Sequence, residues 1–226
     1  MQIKGDGLLV MTKRKAIRNI IFVLVITGAL HIFLEAARYI QVYELTPLDK
    51  RVRDYSLTVQ TGFLTSLFSF VTSLASVPFT TILTAVISMV FFAFRKIREG
   101  LFLIVSVSGG GLCNYLLKAF YERERPASNQ LIEVSGFSFP SGHAMNAVTL
   151  YGMTAVLLSH MIRALSLKVV TALFFGLVIA GIGVSRVYLG VHYASDVLSG
   201  YMIGVVWVLL VLWGYRYMFV KQKCTN

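Results

Sequence analysis

Two histidines, one carboxylate and three cations stand at spacings that suit phosphate chemistry. Asp196 follows His192 by four residues, about one helical turn. At that spacing a carboxylate can hold one ring nitrogen, fix the tautomer and stabilise the imidazolium that forms, directing the other nitrogen outward. His143 closes the tetrapeptide Pro140-Ser141-Gly142-His143, which opens a long apolar run after a polar stretch. Proline fits the first turn of a helix, where free N–H groups and the helix dipole favour an anion. Lys118, Arg125 and Arg186 supply three cations; arginine offers a planar fork for phosphate oxygens and lysine a point charge. Ser141 and the backbone N–H groups near Gly142 would complete a phosphate cradle. Singly, each feature has an ordinary reading, as a capped helix start or a cation snorkelling to headgroups. Gathered at one membrane face they form a candidate site, because ionisable groups near span ends are expensive. His31 and His160, away from this group, read as structural. Asn114, one turn before Lys118, reads as an interhelical hydrogen-bonding residue.

The elements that carry these residues are membrane helices. Of 226 residues, 57% are hydrophobic and only 14% charged, with a mean hydropathy of +0.74. A fold of this size cannot bury that much apolar side chain, so lipid must cover part of it. No linker, low-complexity stretch or short repeat divides the chain, and one integral membrane domain over residues 1–226 is expected. The net charge of +11 does not imply nucleic acid, because the cations flank the apolar runs as in a membrane protein oriented by its loops. Cys113 and Cys224 fall at different depths and are not expected to pair. Neither is spaced as a metal or redox motif, and the terminal Cys224-Thr225-Asn226 is too short for a prenylation box.

The pattern predicts an all-α, polytopic bundle of six transmembrane helices. They cover Ile20 to Ala37, Pro78 to Phe94, Leu101 to Leu117, Ser141 to Met161, Val169 to Val184 and Ala194 to Trp213. The first is read as a retained span rather than a cleaved leader, since Leu34-Glu35-Ala36-Ala37 is a poor cleavage site. Thr61 to Leu74 is too short to cross a hydrocarbon core of about 30 Å and is read as an amphipathic, interfacial or re-entrant segment between spans one and two. Gly109-Gly110-Gly111 is read as a close helix-packing surface. With the N-terminus in the cytoplasm, thirteen of the 21 Lys and Arg residues and only two acids, Asp6 and Glu99, lie on the cytoplasmic side. Both termini are then cytoplasmic, and the candidate site is extracytoplasmic. Phe137 and Phe139 are placed at its entrance.

Lys118-x6-Arg125-Pro126, Pro140-Ser141-Gly142-His143 and Ser185-Arg186-x5-His192-x3-Asp196 resemble the three-part signature of the type 2 phosphatidic acid phosphatase superfamily. All eleven specified residues match in order. The resemblance implies a metal-independent membrane lipid phosphatase with no cofactor. It implies that His192 is the nucleophile, that Asp196 orients it, and that His143 protonates the leaving oxygen and then activates water. Lys118, Arg125, Ser141, Gly142 and Arg186 would bind phosphate oxygens, with Pro126, Pro140 and Ser185 shaping the loops. The residues themselves offer no acidic or Cys/His cluster suited to a metal. The implied substrates are lipid phosphates held in the bilayer: phosphatidylglycerophosphate, phosphatidic acid or undecaprenyl diphosphate. The compact single-domain form is similar to bacterial phosphatases acting on the first and last of these. The alternative is an anionic-lipid transporter or flippase that binds without hydrolysis, for which mid-membrane charges or an inverted repeat would be expected.

Overall fold

Apolar runs become helices because a backbone in lipid must satisfy its own N–H and C=O groups. The computed structural model describes residues 3–43, 45–127 and 129–222, with side chains from 16 to 216 apart from 44 and 128. All regular structure among them is helical: α1 (Ile3–Tyr43), α2 (Pro47–Thr58), α3 (Gly62–Ser73), α4 (Val77–Ala93), α5 (Ile97–Tyr121), α6 (Gly142–Ala147), α7 (Met153–Met161), α8 (Leu165–Tyr188) and α9 (Ala194–Gln222). A π-helical turn, Val148–Gly152, joins α6 to α7 without a break, so residues 142–161 form one rod. The expectations for Cys224, and for the side chains of Lys4, Lys13, Arg14, Lys15, Lys221 and Lys223, lie outside what is described.

Six spans were expected; length and composition of the described helices support four or five. Four helical stretches are long and apolar enough to cross a membrane: Ala16–Tyr43, Ile97–Tyr121, Leu165–Tyr188 and Ala194–Arg216. The pair α3 and α4 makes a fifth if taken as one span, bent by 50°. The expected fourth span is the 142–161 rod, whose two α-helical pieces are each shorter than a crossing and are joined end to end by the π turn. The segment from Thr61 to Leu74, expected to be amphipathic, interfacial or re-entrant, is helical. It is α3, continued after a short break by α4, and it packs along α8, where Tyr188 Oη accepts from the Thr61 N–H at 3.0 Å.

The rod is the axis of the bundle. Residues 144–151 are buried without interruption, and the rod touches α5, α8 and α9. A helix apolar on every side belongs inside. At the π turn, Thr149 O accepts from Ser106 Oγ at 2.9 Å, and Ser106 O accepts from Trp207 Nε1 at 2.9 Å. The widened turn thus directs a carbonyl to a neighbouring helix. Close approach requires the expected glycines. A Cβ on Gly110 would lie 2.6 Å from Thr149 Cγ2, and one on Gly109 would overlap Trp207. Gly111 faces open space, so only two of the three glycines serve packing. A second apolar cluster joins α1 to α9 through Ile26, Phe33, Ile40, Ile203 and Val206.

Sequence reading gave no element to the charged stretch before residue 60, yet α2 forms there. Thr46 and Asp49 make a reciprocal capping box, and Pro47 occupies the first turn. Thr46-Pro47-Leu48-Asp49 was the available signal.

Candidate active site

The site forms where the C-terminal ends of α5 and α8 meet the N-terminal ends of the rod and α9. α5 stops at Glu122, in the left-handed region with φ 46°, and its cap N–H returns to Lys118 O. The chain then crosses the end of the bundle as an irregular loop, residues 122–127 and 129–141. Arg125 staples this loop from within: Nε donates to Gly136 O at 2.8 Å and Nη2 to Ser135 O at 3.2 Å. Leu131 N–H donates to Leu189 O at 3.0 Å, and Ser138 N–H to Arg123 O at 2.7 Å. The loop is therefore tied to itself and to the end of α8 before the rod begins.

His192 lies between α8 and α9 and is 3% exposed. Its Nδ1 is 3.5 Å from Asp196 Oδ2, the pair expected from the spacing. Ser138 stands between them: its Oγ donates to Asp196 Oδ2 at 2.5 Å and is 3.2 Å from Nδ1. With Ser138 donating onward, Nδ1 is the protonated nitrogen and Nε2 carries the lone pair. Nε2 faces Arg125 Nη1 at 3.2 Å. Burial pushes the His192 pKa down to about 4 against the raising effect of Asp196, so the ring is a neutral base at ordinary pH. Burial also lowers the pKa of Arg125, partly offset by Asp196, and raises that of Tyr193.

In front of Nε2 is a cavity of about 470 Å³. Six of the eight expected site residues line it: Lys118, Arg125, Gly142, His143, Arg186 and His192. The other two stand behind the wall. Asp196 backs His192. Ser141 is fully buried behind Gly142, and its N–H donates to Asp196 O at 3.0 Å. Neither Ser141 Oγ nor Arg186 Nε has a hydrogen-bond partner, although both are buried. Unpaired buried donors are costly, and an anion in this position would answer the arginine. Arg186 is aimed by Thr72 Oγ1, which accepts from Nη1 at 2.8 Å. Lys118 Nζ donates to Phe137 O at 2.5 Å. Asn114, expected to bond between helices, instead donates from α5 to Pro140 O in the loop just before the rod, at 3.2 Å. A Cβ on Gly142 would come within 2.9 Å of Asn114 Oδ1, so only glycine lets the rod start this close to α5.

Several expectations change. Phe139 is not at an entrance: it is 1% exposed and packs between Phe33 and Tyr121, with ring centroids at 5.8 and 5.0 Å. Phe137 is 37% exposed. His31 and His160 are exposed on α1 and α7 and do not line the cavity. Sequence reading missed Ser138, Thr72, Arg123 and Asp49. Thr72 and Asp49 are distant in sequence from the motifs, and nothing in their spacing marks them. Ser138 and Arg123 sit two residues from Pro140 and Arg125, where adjacency was the only signal. Among the described residues, no group of three or more His, Cys, Asp or Glu is arranged to hold a metal ion.

Comparison with known proteins agrees with this geometry. The profile of the PAP2 superfamily matches residues 99–219, which contain all three motifs. Phosphatidylglycerophosphatase B of Bacillus subtilis (strain 168) is 33% identical over 180 residues, covering 79% of this chain and 89% of that protein. Lipid phosphate phosphatase delta of Arabidopsis thaliana is 28% identical over 173 residues, covering 68% of this chain and 38% of that protein. The crystal structure of a transmembrane PAP2 type phosphatidylglycerolphosphate phosphatase from Bacillus subtilis is similar with a TM-score of 0.79 and 31% identity, over 85% of this chain and 96% of that one. Aquifex aeolicus LpxE gives a TM-score of 0.59 and 28% identity, over 74% of this chain and 96% of that one. The three motifs, the helical bundle and the cation-lined cavity converge on one assignment: the chain belongs to the PAP2 superfamily and is a membrane lipid phosphatase of that family.

Proposed function

We propose that the protein hydrolyses the terminal phosphomonoester of phosphatidylglycerophosphate at the extracytoplasmic face of the membrane, through a phosphohistidine on His192. The observation that carries this reading is the orientation of one ring. Nδ1 of His192 is tied back to Ser138 and Asp196, and Nε2 meets a cavity lined by Lys118, Arg125 and Arg186. The choice of lipid rests on the similarity to phosphatidylglycerophosphatase B over most of its length.

The chemistry runs in two displacements. Nε2 of His192 attacks phosphorus, and the bond from phosphorus to the glycerol oxygen breaks. The leaving oxygen takes a proton from His143. His143, now neutral, removes a proton from water, which attacks the phosphohistidine; the P–N bond breaks and inorganic phosphate leaves. Lys118, Arg125, Arg186 and the first-turn N–H groups at Gly142 hold the equatorial oxygens as charge spreads over them. Ser141 supports the cradle from behind Gly142. Asp196 stabilises the imidazolium character that develops on His192. Three side-chain cations supply the charge that a metal would otherwise supply.

The test is phosphate release by the purified protein in detergent with chelator present, from phosphatidylglycerophosphate, phosphatidic acid and undecaprenyl diphosphate. Wild type is expected to turn over phosphatidylglycerophosphate fastest, with inhibition by vanadate. His192→Ala and His143→Ala are expected to lose turnover on all three. Retained turnover in His192→Ala would remove the covalent route. Recovery of all three lipids intact from wild type would instead support binding without hydrolysis.

A further inference from the structure

Behind the His192–Asp196 pair lies a second, largely buried charge group that the three motifs do not include. Arg123, in the loop after α5, places its guanidinium between two carboxylates. Nη1 meets Asp196 Oδ1 at 2.5 Å, and Nη2 meets Asp49 Oδ2 at 3.2 Å. Both carboxylate side chains are completely buried, and the arginine side chain is 9% exposed. Asp49, on α2, is itself saturated. It accepts from Ser195 N–H and Ser195 Oγ, each at 2.8 Å, and from the Thr46 N–H at 3.3 Å. Ser195 Oγ also lies 2.9 Å from Arg123 Nη1. The guanidinium is stacked 4.2 Å above the ring of Tyr193. Three elements distant in sequence thus converge on the far side of Asp196, and neither Arg123 nor Asp49 lines the reaction cavity.

We propose that Arg123 and Asp49 are positioning residues for phosphoryl transfer: Arg123 clamps Oδ1 of Asp196 so that Oδ2 faces Ser138 and Nδ1 of His192, and Asp49 holds Arg123 in place and tempers its charge. The inference rests on His192 being the nucleophile. A carboxylate with one oxygen clamped by a planar fork cannot rotate freely. The fork is held by its own second carboxylate, as outer-layer partners hold the ligands of a metal site. A clamp serving stability alone would be a weak use of these groups, since a buried ion triad is often no more stable than apolar packing of equal volume.

The arrangement has a signed consequence. His192 is faced by Asp196 on α9, by Arg125 and Glu133 of the loop, by Arg186 on α8, by Lys118 on α5, by His143 on the rod and by Arg53 on α2. Asp49 and Tyr193 line the same small pocket as His192, and Arg123 acts on it through Asp196. Removing the Arg123 charge leaves Asp196 unopposed, so His192 takes up a proton more readily. Removing the Asp49 charge leaves Arg123 unopposed, so His192 takes up a proton less readily. The two substitutions therefore move the acid limb of kcat/KM in opposite directions.

The experiment measures kcat and KM for short-chain phosphatidylglycerophosphate with wild type, Arg123→Met, Arg123→Lys and Asp49→Asn, from about pH 3 to about pH 8, with melting temperature in detergent as the folding control. Expected are a kcat loss of about tenfold or more in Arg123→Met and Asp49→Asn with KM changed less than about threefold, and partial recovery in Arg123→Lys. The acid limb moves up in Arg123→Met and down in Asp49→Asn. Asp49→Asn is isosteric, so it carries the test if Arg123→Met does not fold. A folded Asp49→Asn protein with wild-type kcat and an unmoved acid limb overturns the proposal. A wild-type enzyme that releases no phosphate removes the phosphatase reading beneath it, and normal wild-type turnover beside unmoved variants removes the clamp alone.

Discussion

Ser138 accepts from one histidine nitrogen and donates to the carboxylate that the spacing alone would pair with it directly. Removing its hydroxyl leaves Asp196 Oδ2 with the Tyr193 N–H, 2.9 Å away, and a 3.5 Å approach to Nδ1. Losing a buried hydrogen bond of this kind costs about 1–2 kcal/mol. Ser138→Ala is therefore expected to lower kcat about tenfold with little change in KM, measured by steady-state phosphate release. The pH profile tests the same ring. Because burial holds the His192 pKa near 4, the nucleophile stays neutral and active as pH falls, until it protonates through about 4. The acid limb of wild-type kcat/KM should lie there and not near 6.5, the ordinary imidazole value. Stability carries the matching sign. Between those two values the unfolded chain binds the proton and the folded one does not, so this ring lowers stability progressively as pH falls from 6.5 to 4. Of the eight expected residues, the six that line the cavity include five ionisable groups that stand out at the ends of apolar runs. Ser138 does not, because a serine in a polar loop has no distinguishing spacing. Its partners become visible only when the loop closes over α9.

The helices place these groups by approaching one another more closely than side chains normally allow. On α9, a Cβ at Gly200 would stand 2.6 Å from the Ser141 carbonyl oxygen and 3.0 Å from the Ala144 Cβ. The start of the rod, with Gly142 and His143, is set against α9 at that contact. Gly200→Ala should force the rod away, costing about 1–3 kcal/mol as overpacking does, and should lower both melting temperature and phosphate release. Gly176 on α8 is the control, since a Cβ there meets nothing within 4 Å. Gly176→Ala should leave melting unchanged or raise it, because alanine favours a helix by about 1 kcal/mol over glycine. If both substitutions melt alike, the contact at Ser141 does not set the rod. At this scale the sequence was readable for apolar runs and unreadable for their interruptions. The rod from residue 142 to 161 is one apolar run, and no residue in it announces the π turn that Ser106 stabilises from another helix. The bend between α3 and α4 has Pro78 beside it, yet its consequence, two short helices joined at 50°, depends on α3 packing along α8.

The distribution of charge over the whole molecule is what supports the extracytoplasmic face proposed for the site. α5 runs toward the site from Ile97 to Lys118, and α8 runs toward it from Leu165 to Arg186. Helices of 25 and 24 residues are about 36 Å long. Their starts, with Arg95, Lys96 and Arg98 in one turn and Arg163 and Lys168 at the other, therefore lie a membrane's thickness from the cavity. α8 requires that thickness to be lipid: its apolar window is 11% buried, and Leu173, Phe174 and Leu177 are exposed. Cationic turns favour the cytoplasm, and the proposal of an outer site rests on that preference. Introduced cysteines decide the matter, in a background carrying Cys113→Ser and Cys224→Ser. Ser135→Cys, in the loop beside the cavity, is expected to react with a membrane-impermeant maleimide on intact cells. Ser166→Cys, exposed at the start of α8, is expected to react only after permeabilisation. The reverse pattern would turn the molecule over and put phosphate release in the cytoplasm. The lipid substrate would then have to be drawn from the inner leaflet, with Lys118, Arg125 and Arg186 unchanged in their chemistry and opposite in their address.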